Sequence, residues 1–172
     1  IATDLRRGSS PAGKAPAASP APSSAPRTGV SGVGIFETVD EAVAAAGKAQ
    51  VDFAALSMEK RAAIIADIRK VMTDEAASLA KEALEETRLG RFDDKILKNI
   101  VAAQKTPGTE DLVPLAFSGD GGLTIEEPAP FGVIGAITPT TNPTSTIVCN
   151  AIGIIAAGNS VVFNAHPRAK KV

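Results

Sequence analysis

The sequence predicts an α/β chain: a run of helices, then a β-hairpin, then the start of a doubly wound parallel sheet. Three observations predict it. The hydrophobic period is helical from Phe36 to Lys105. It changes at Leu112, where two short β-like runs flank Gly119-Asp120-Gly121-Gly122. A nearly continuous apolar run, Phe131 to Thr138, is followed by a helix-length apolar segment and a second apolar run, Ser160 to Ala165. Strand, helix and strand over that span make a βαβ unit with parallel strands.

Composition narrows the class. The 172 residues carry 18 Lys+Arg and 19 Asp+Glu, a formal charge of −1. With no excess of cations to neutralise phosphates, a dedicated nucleic-acid binder is excluded. One Cys and one His exclude a disulfide framework and a multi-cysteine zinc site, and no metal site is expected. No apolar run approaches the roughly 20 residues that cross a bilayer, so no membrane role is expected. Aromatic residues are only 3%, and Ala and Val take their place, which implies small, closely approaching core elements. Ile1 stands where a Met would begin a chain, and the last strand leaves a sheet edge uncovered. Both features predict a piece of a longer protein.

The elements follow in order. Residues 8–28 hold 5 Pro, 6 Ala and 5 Ser, too little apolar surface to offset ordering entropy, so a disordered linker is expected over 1–30. Thr38-Val39-Asp40-Glu41 is a capping box that opens a first helix, with Ala42, Val43, Ala46 and Ala49 as its apolar face. Ser57 caps a second, whose stripe is Ala62, Ile65, Ile68, Arg69 and Met72. Thr73 is expected to open a third helix that buries Leu79, Ala83 and Leu84 and stops at Gly90. A fourth runs from about Asp93 to Lys105, with Ile96, Ile100 and Ala103 inward. Glu82, Glu85 and Glu86 read as a solvated helix face. Val113 to Phe117 and Leu123 to Glu127 are the hairpin strands, with the Ile125 side dry and the Thr124 and Glu126 side wet. Phe131 to Thr138 reads as a strand covered on both faces, Ser145 to Ala157 as a helix ended by Gly158-Asn159, and Ser160 to Ala165 as its parallel partner.

Ligands of open α/β sheets bind beyond the carboxyl ends of the strands. Two loops fall there. Pro139-Thr140-Thr141-Asn142-Pro143-Thr144 leads into a helix N-terminus, which favours an anion or a developing oxyanion. Asn142 or Thr144 is also a candidate cap for that helix, and the two roles are compatible. The second loop, Asn164 to Lys171, holds His166 with Arg168, Lys170 and Lys171, cations well placed for nucleotide phosphates. Neither G-x-G-x-x-G nor a P-loop is present. Cys149, between Val148 and Asn150 in the apolar helix, reads as a small core residue and not a nucleophile.

Glu127 to Pro139 and the following Thr-Thr-Asn-Pro-Thr loop resemble the cofactor-binding sheet of the aldehyde dehydrogenase superfamily. The loop and His166-Pro167-Arg168-Ala169-Lys170 are similar to its coenzyme A-acylating branch. Glu86-Thr87-Arg88-Leu89-Gly90-Arg91, followed by Asp94-Lys95 and Lys98-Asn99, resembles the family's Glu-Thr-Gly-x-Gly-Arg junction, with Arg88 in place of Gly. Thr106 to Leu112, Ser118 to Gly122 and the Pro/Ala/Ser tail resemble the enzymes of bacterial microcompartments. The resemblance spans about Val33 to Val172 and implies a Rossmann-like sheet.

It implies an NAD-dependent oxidoreductase that turns aldehyde and coenzyme A into acyl-CoA through a cysteine thiohemiacetal and thioester, the nucleophilic Cys lying beyond this chain. Thr141 and Asn142 would face the oxyanion, with Asn142 offset by one from the family's Asn. Thr138, Pro139, Thr140, His166, Pro167 and Arg168 would bind cofactor, with Arg168 on a phosphate or ribose of NAD or coenzyme A, and His166-Pro167-Arg168 stands where ordinary members place a ribose-binding Lys-Pro-Ser. Residues 31–112 would be the helical part of the NAD-binding domain, 113–129 an oligomerisation arm, and 130–172 the first βαβ unit, with the catalytic domain absent from this chain. A small aliphatic aldehyde, a homo-oligomer (dimer or tetramer), and microcompartment shell or lumen proteins reached through the tail are the implied partners, in the cytoplasm and its microcompartments. Two other readings stand beside it: a non-catalytic partner-binding remnant, and an ordinary non-acylating aldehyde dehydrogenase.

Overall fold

The computed structural model describes residues 34–172; the expected linker at 1–30 lies outside them. Helix α1 (Val39–Ala54) begins at the Thr38 capping box, where Thr38 Oγ1 accepts from the Glu41 N–H and the Glu41 carboxylate accepts from the Thr38 N–H. Its packed side is Ala42, Ala45, Ala46 and Gln50; Val43 and Ala49, expected inward, are exposed. The stripe is shifted because Gln50 is drawn in to donate to the Gly158 carbonyl at 2.8 Å.

Helix α2 (Met58–Asp74) is capped by Ser57 as expected. It buries Ile65 with Ile68 and Met72 against the core, while Ala62 is exposed. Thr73 does not open the next helix. It sits in the last turn of α2, its hydroxyl donating to the Arg69 carbonyl at 2.7 Å, a local bond that keeps the helix going past it. Helix α3 (Ala76–Thr87) starts after Glu75, which makes no side-chain cap. It buries Ala76, Ala80, Ala83 and Thr87, while Leu79 and Leu84 are only half-buried. Small residues line this seam because α3 and α4 (Phe92–Lys105) pack directly on each other. Arg88 ends α3 in the left-handed region, at φ 58°, ahead of Gly90 at φ 83°.

On α4 the inward positions are Lys95, Asn99, Ala102 and Ala103, with Ile96 and Ile100 half-buried. Two polar residues therefore occupy a face expected to be aliphatic. Ala102 and Ala103 join Ile65, Val148, Ile152 and Ala156 in the main core cluster.

Strands β1 (Leu115–Gly119) and β2 (Gly122–Glu126) pair antiparallel about the two-residue loop Asp120-Gly121. Pairing sets Leu115 and Phe117 on one face and Leu123 and Ile125 on the other, all more than half exposed. The expected division into a wet and a dry face does not occur: each strand carries its apolar residues in its own phase.

Strand β3 (Val133–Ile137), helix α5 (Pro143–Ala156) and strand β4 (Ser160–Asn164) complete the chain, with β3 and β4 parallel. Asn159, 5% exposed, ties the unit together. Its Oδ1 accepts from the N–H groups of Phe131 (2.6 Å) and Gly132 (2.9 Å), and Ser160 N–H donates to the Gly132 carbonyl. β3 is not covered on both faces as expected: Ala136 is buried but Ile137 is 79% exposed, because the pair packs mainly on α1 and α5. The mixed α/β architecture expected from the sequence is present, though this sheet has only two strands among the described residues. No described helix is long and apolar enough to cross a membrane.

Candidate functional site

Parallel pairing brings the two candidate loops to one edge. Ile137 is registered against Asn164, and the Thr138 N–H donates to the Asn164 carbonyl at 3.1 Å, so residues 138–143 and 165–171 leave the strands side by side. Thr138 is 1% exposed, and neither its hydroxyl nor that of Thr140 has a partner among the described residues. A buried hydroxyl without a partner is costly and calls for a water or a ligand group to satisfy it. Pro139 and Thr141 are exposed, and Asn142 is half-buried.

Helix α5 begins at Pro143, two residues earlier than expected, with proline at the first turn where its missing N–H costs nothing. Its N-terminus has no side-chain cap. Asn142 and Thr144, both candidates for that role, are engaged elsewhere. Thr144 Oγ1 donates to Asn99 Oδ1 at 2.8 Å, and Asn99 Nδ2 donates to the Ala76 carbonyl at 3.1 Å. The Asn142 side chain accepts at Oδ1 from Lys98 Nζ at 3.1 Å. The first-turn N–H groups of α5 are thereby left for solvent or an anion.

Lys95 and Lys98, three apart on α4, both reach this loop; Lys95 Nζ donates to the Thr141 carbonyl at 3.3 Å. Lys95 is 6% exposed, and burial, with the charge of Lys98 beside it, pulls its ammonium below the ordinary lysine range. Gly90 makes room for it: a Cβ there would stand 3.3 Å from Lys95 Cε. Sequence reasoning assigned none of these roles to Lys95, Lys98 or Asn99. The available signal was two polar residues at four-residue spacing inside an apolar stripe, which is expensive unless each is partnered.

Between α4 and α5 runs an open groove of about 610 Å³. Val101, Ala102 and Cys149 line it, and Lys98, Asn142 and Asn150 lie at its polar margin. Cys149 is half-buried against the core cluster and accepts from Thr106 Oγ1 at 3.2 Å. It is held as a packing residue, as expected.

The second loop has its own anchor. Glu86 is not a solvated charge: its carboxylate accepts from the backbone N–H groups of Lys170, Lys171 and Val172 at 2.9–3.1 Å. Burial pushes this carboxyl up, but those donors outweigh it and hold it below its ordinary value. Glu82 and Glu85 stay exposed. Within the loop, the Arg168 N–H donates to His166 Nδ1 at 3.1 Å. Pro167 and Arg168 are exposed, and Arg168 joins no ion pair among the described residues.

An uncapped helix N-terminus and a cation-bearing loop thus lie together at the carboxyl edge of parallel strands, the edge where doubly wound α/β proteins bind their ligands. The profile of the aldehyde dehydrogenase family matches residues 33–171, and the chain belongs to that family. It is 48% identical over 141 residues to the propanal dehydrogenase (CoA-propanoylating) of Salmonella typhimurium, covering 82% of this chain and 30% of that protein. Among solved structures it is similar to Rhodopseudomonas palustris propionaldehyde dehydrogenase with bound propionyl-CoA (56% identity, TM-score 0.78, 80% of this chain and 31% of that one). It is also similar to a propionaldehyde dehydrogenase mutant from the fucose utilisation microcompartment of Clostridium phytofermentans (53% identity, TM-score 0.77, 80% and 32%). The chain thus spans about 30% of the length of curated relatives it matches.

Proposed function

We propose that this chain is the nucleotide-binding part of a CoA-acylating aldehyde dehydrogenase. The reaction is aldehyde, coenzyme A and NAD⁺ giving acyl-CoA, NADH and a proton. The observation that carries the reading is the 139–144 loop: both residues that could cap α5 are turned to α4 instead, which leaves the helix N-terminus and the Asn142 amide available at the sheet edge. Similarity to CoA-propanoylating and propionyl-CoA-bound relatives supports the acylating branch over the ordinary one.

The residues present fit a dinucleotide. The unpartnered hydroxyls of Thr138 and Thr140, with Pro139, form its side of the β3 edge, and His166, Pro167 and Arg168 form the β4 side. NAD supplies a hydride acceptor when bound. Thr141 and Asn142 face the oxyanion that develops when a thiolate adds to the aldehyde carbonyl, and the α4–α5 groove takes the aldehyde's carbon chain. Cys149 is no candidate for that thiolate, since it is packed against aliphatic side chains and has no adjacent base. The tail is read as a tether to microcompartment shell or lumen proteins, the hairpin at 113–129 as a self-association arm, and the cytoplasmic microcompartment as the site of action.

The test uses the intact protein, with NADH formation followed at varied NAD⁺ and CoA. Arg168→Ala removes a charge-assisted contact of about 1.5–3 kcal/mol, so the KM for one nucleotide should rise roughly tenfold to a hundredfold while the aldehyde KM holds. Unchanged constants for both nucleotides would remove Arg168 from the site. Absence of acyl-CoA product would end the acylating reading.

A further inference from the structure

We propose that Lys95 and Lys98 are positioning residues that set the two hydrogen-bond donors of Asn142 from behind. The proposal rests on the reading of Thr141–Asn142 as the oxyanion-facing segment.

Lys95 is the first observation. It lies at 6% exposure on a helix face otherwise built of alanines and Asn99, and it takes part in no ion pair among the described residues. Packing alone does not call for an ammonium there; an apolar chain of the same length would fill the space at no electrostatic cost. What the ammonium does contact is the Thr141 carbonyl, at 3.3 Å. That carbonyl belongs to the same peptide unit as the Asn142 N–H. In a trans peptide the two point in opposite directions, so the N–H faces away from Lys95. Drawing electron density toward the carbonyl oxygen makes the N–H a stronger donor, because bonds in a chain polarise one another in a low-dielectric setting.

Lys98 is the second. Its Nζ holds Asn142 Oδ1 at 3.1 Å. A primary amide whose oxygen is fixed by a cation presents its NH₂ group at the other end, and that group can only donate. Left free, the amide could turn and aim its oxygen at the oxyanion, which would repel it.

Neither ammonium forms an ion pair among the described residues, though the Asp94 carboxylate is near enough to feel the charge of Lys98. Asp94, the neighbouring carboxylate on α4, is held by Arg91 in a two-bond pair at 2.8 and 3.0 Å. Two cations therefore stand behind the segment that faces the growing negative charge, and their arrangement exists before any reactant arrives. Neither lysine touches the reacting atoms, and no proton needs to leave either one.

The experiment uses the intact enzyme and measures kcat together with separate KM values for NAD⁺ and CoA. Lys98→Met should lower kcat roughly tenfold and leave both nucleotide KM values within about twofold. Lys98→Arg, which keeps the cation, should recover most of that loss. In an Asn142→Ala background, Lys98→Met should cost less than about twofold, since its target is gone. Lys95→Met should likewise act on kcat; should that variant fail to fold, exposed Lys98 carries the test by itself. A kcat unchanged in Lys98→Met, or a full tenfold loss persisting on top of Asn142→Ala, overturns the proposal. An unchanged kcat in Asn142→Ala alone instead overturns the oxyanion reading of that segment, and the proposal with it.

Discussion

Arg88 holds a left-handed backbone at φ 58° and ψ 24°, a conformation that costs a side-chain-bearing residue about 1–2 kcal/mol and glycine almost nothing. The family's junction has glycine there, and the structure gives the reason. Arg88 is exposed and makes no ion pair among the described residues, so little is lost by removing its side chain. Arg88→Gly should stabilise the protein by about 0.5–1 kcal/mol once glycine's greater freedom in the unfolded chain is deducted. A urea midpoint below that of the parent would count against this. Polar residues at single positions were the least legible feature of the sequence. Asn99 lies outside the inward face Ile96, Ile100 and Ala103 expected for its helix, yet it is buried because Ala76 and Thr144 supply its two partners from 23 residues upstream and 45 downstream. No local pattern could announce partners that distant.

Elements were more legible than their ends. The capping box, the Asp-Gly hairpin loop and the parallel pair all stand where turn and cap chemistry places them, since those signals are local. Thr73 misled because a hydroxyl serves an N-cap and a back-bond within a helix equally well. The link from α3 to the loop after β4 was invisible for another reason: it consists of one carboxylate and three backbone N–H groups, which have no sequence signature. That link makes stability depend on pH. The Glu86 carboxyl titrates below its ordinary 4.5 in the fold, so its contribution is fully present above that value and is lost as pH falls through the lowered one. Glu86→Gln should therefore reduce stability near neutrality and flatten its decline below about pH 4.5. A denaturation series across pH 3–6 in which parent and variant run parallel would remove Glu86 from that role.

At the scale of the molecule, the hairpin gathers exposed apolar side chains on a ribbon with little cover among the described residues. Phe117 and Ile125 are 57% and 61% exposed on opposite faces of a two-stranded ribbon, which is marginal alone in water. A second copy covering both faces fits better than one neighbour covering a single face. The intact protein should sediment as a dimer or tetramer at micromolar concentration, and Phe117→Lys with Ile125→Lys should dissociate it. A monomeric parent would refute the association role. Most of the site was legible as loops at a sheet edge, because strand, helix and strand leave few places for them. Its support was not, because that comes from the earlier helices. Synthesis runs from the N-terminus, so this support is made before the loop it holds. Lys95 leaves the ribosome 46 residues ahead of its acceptor, the Thr141 carbonyl. At roughly 5–20 residues per second, it waits about 2–9 seconds with its charge unmatched and the inner sides of α2 and α4 bare. A nascent chain paused in that interval holds formed helices without the layer that closes them, and this is the stage at which a chaperone would have most to bind.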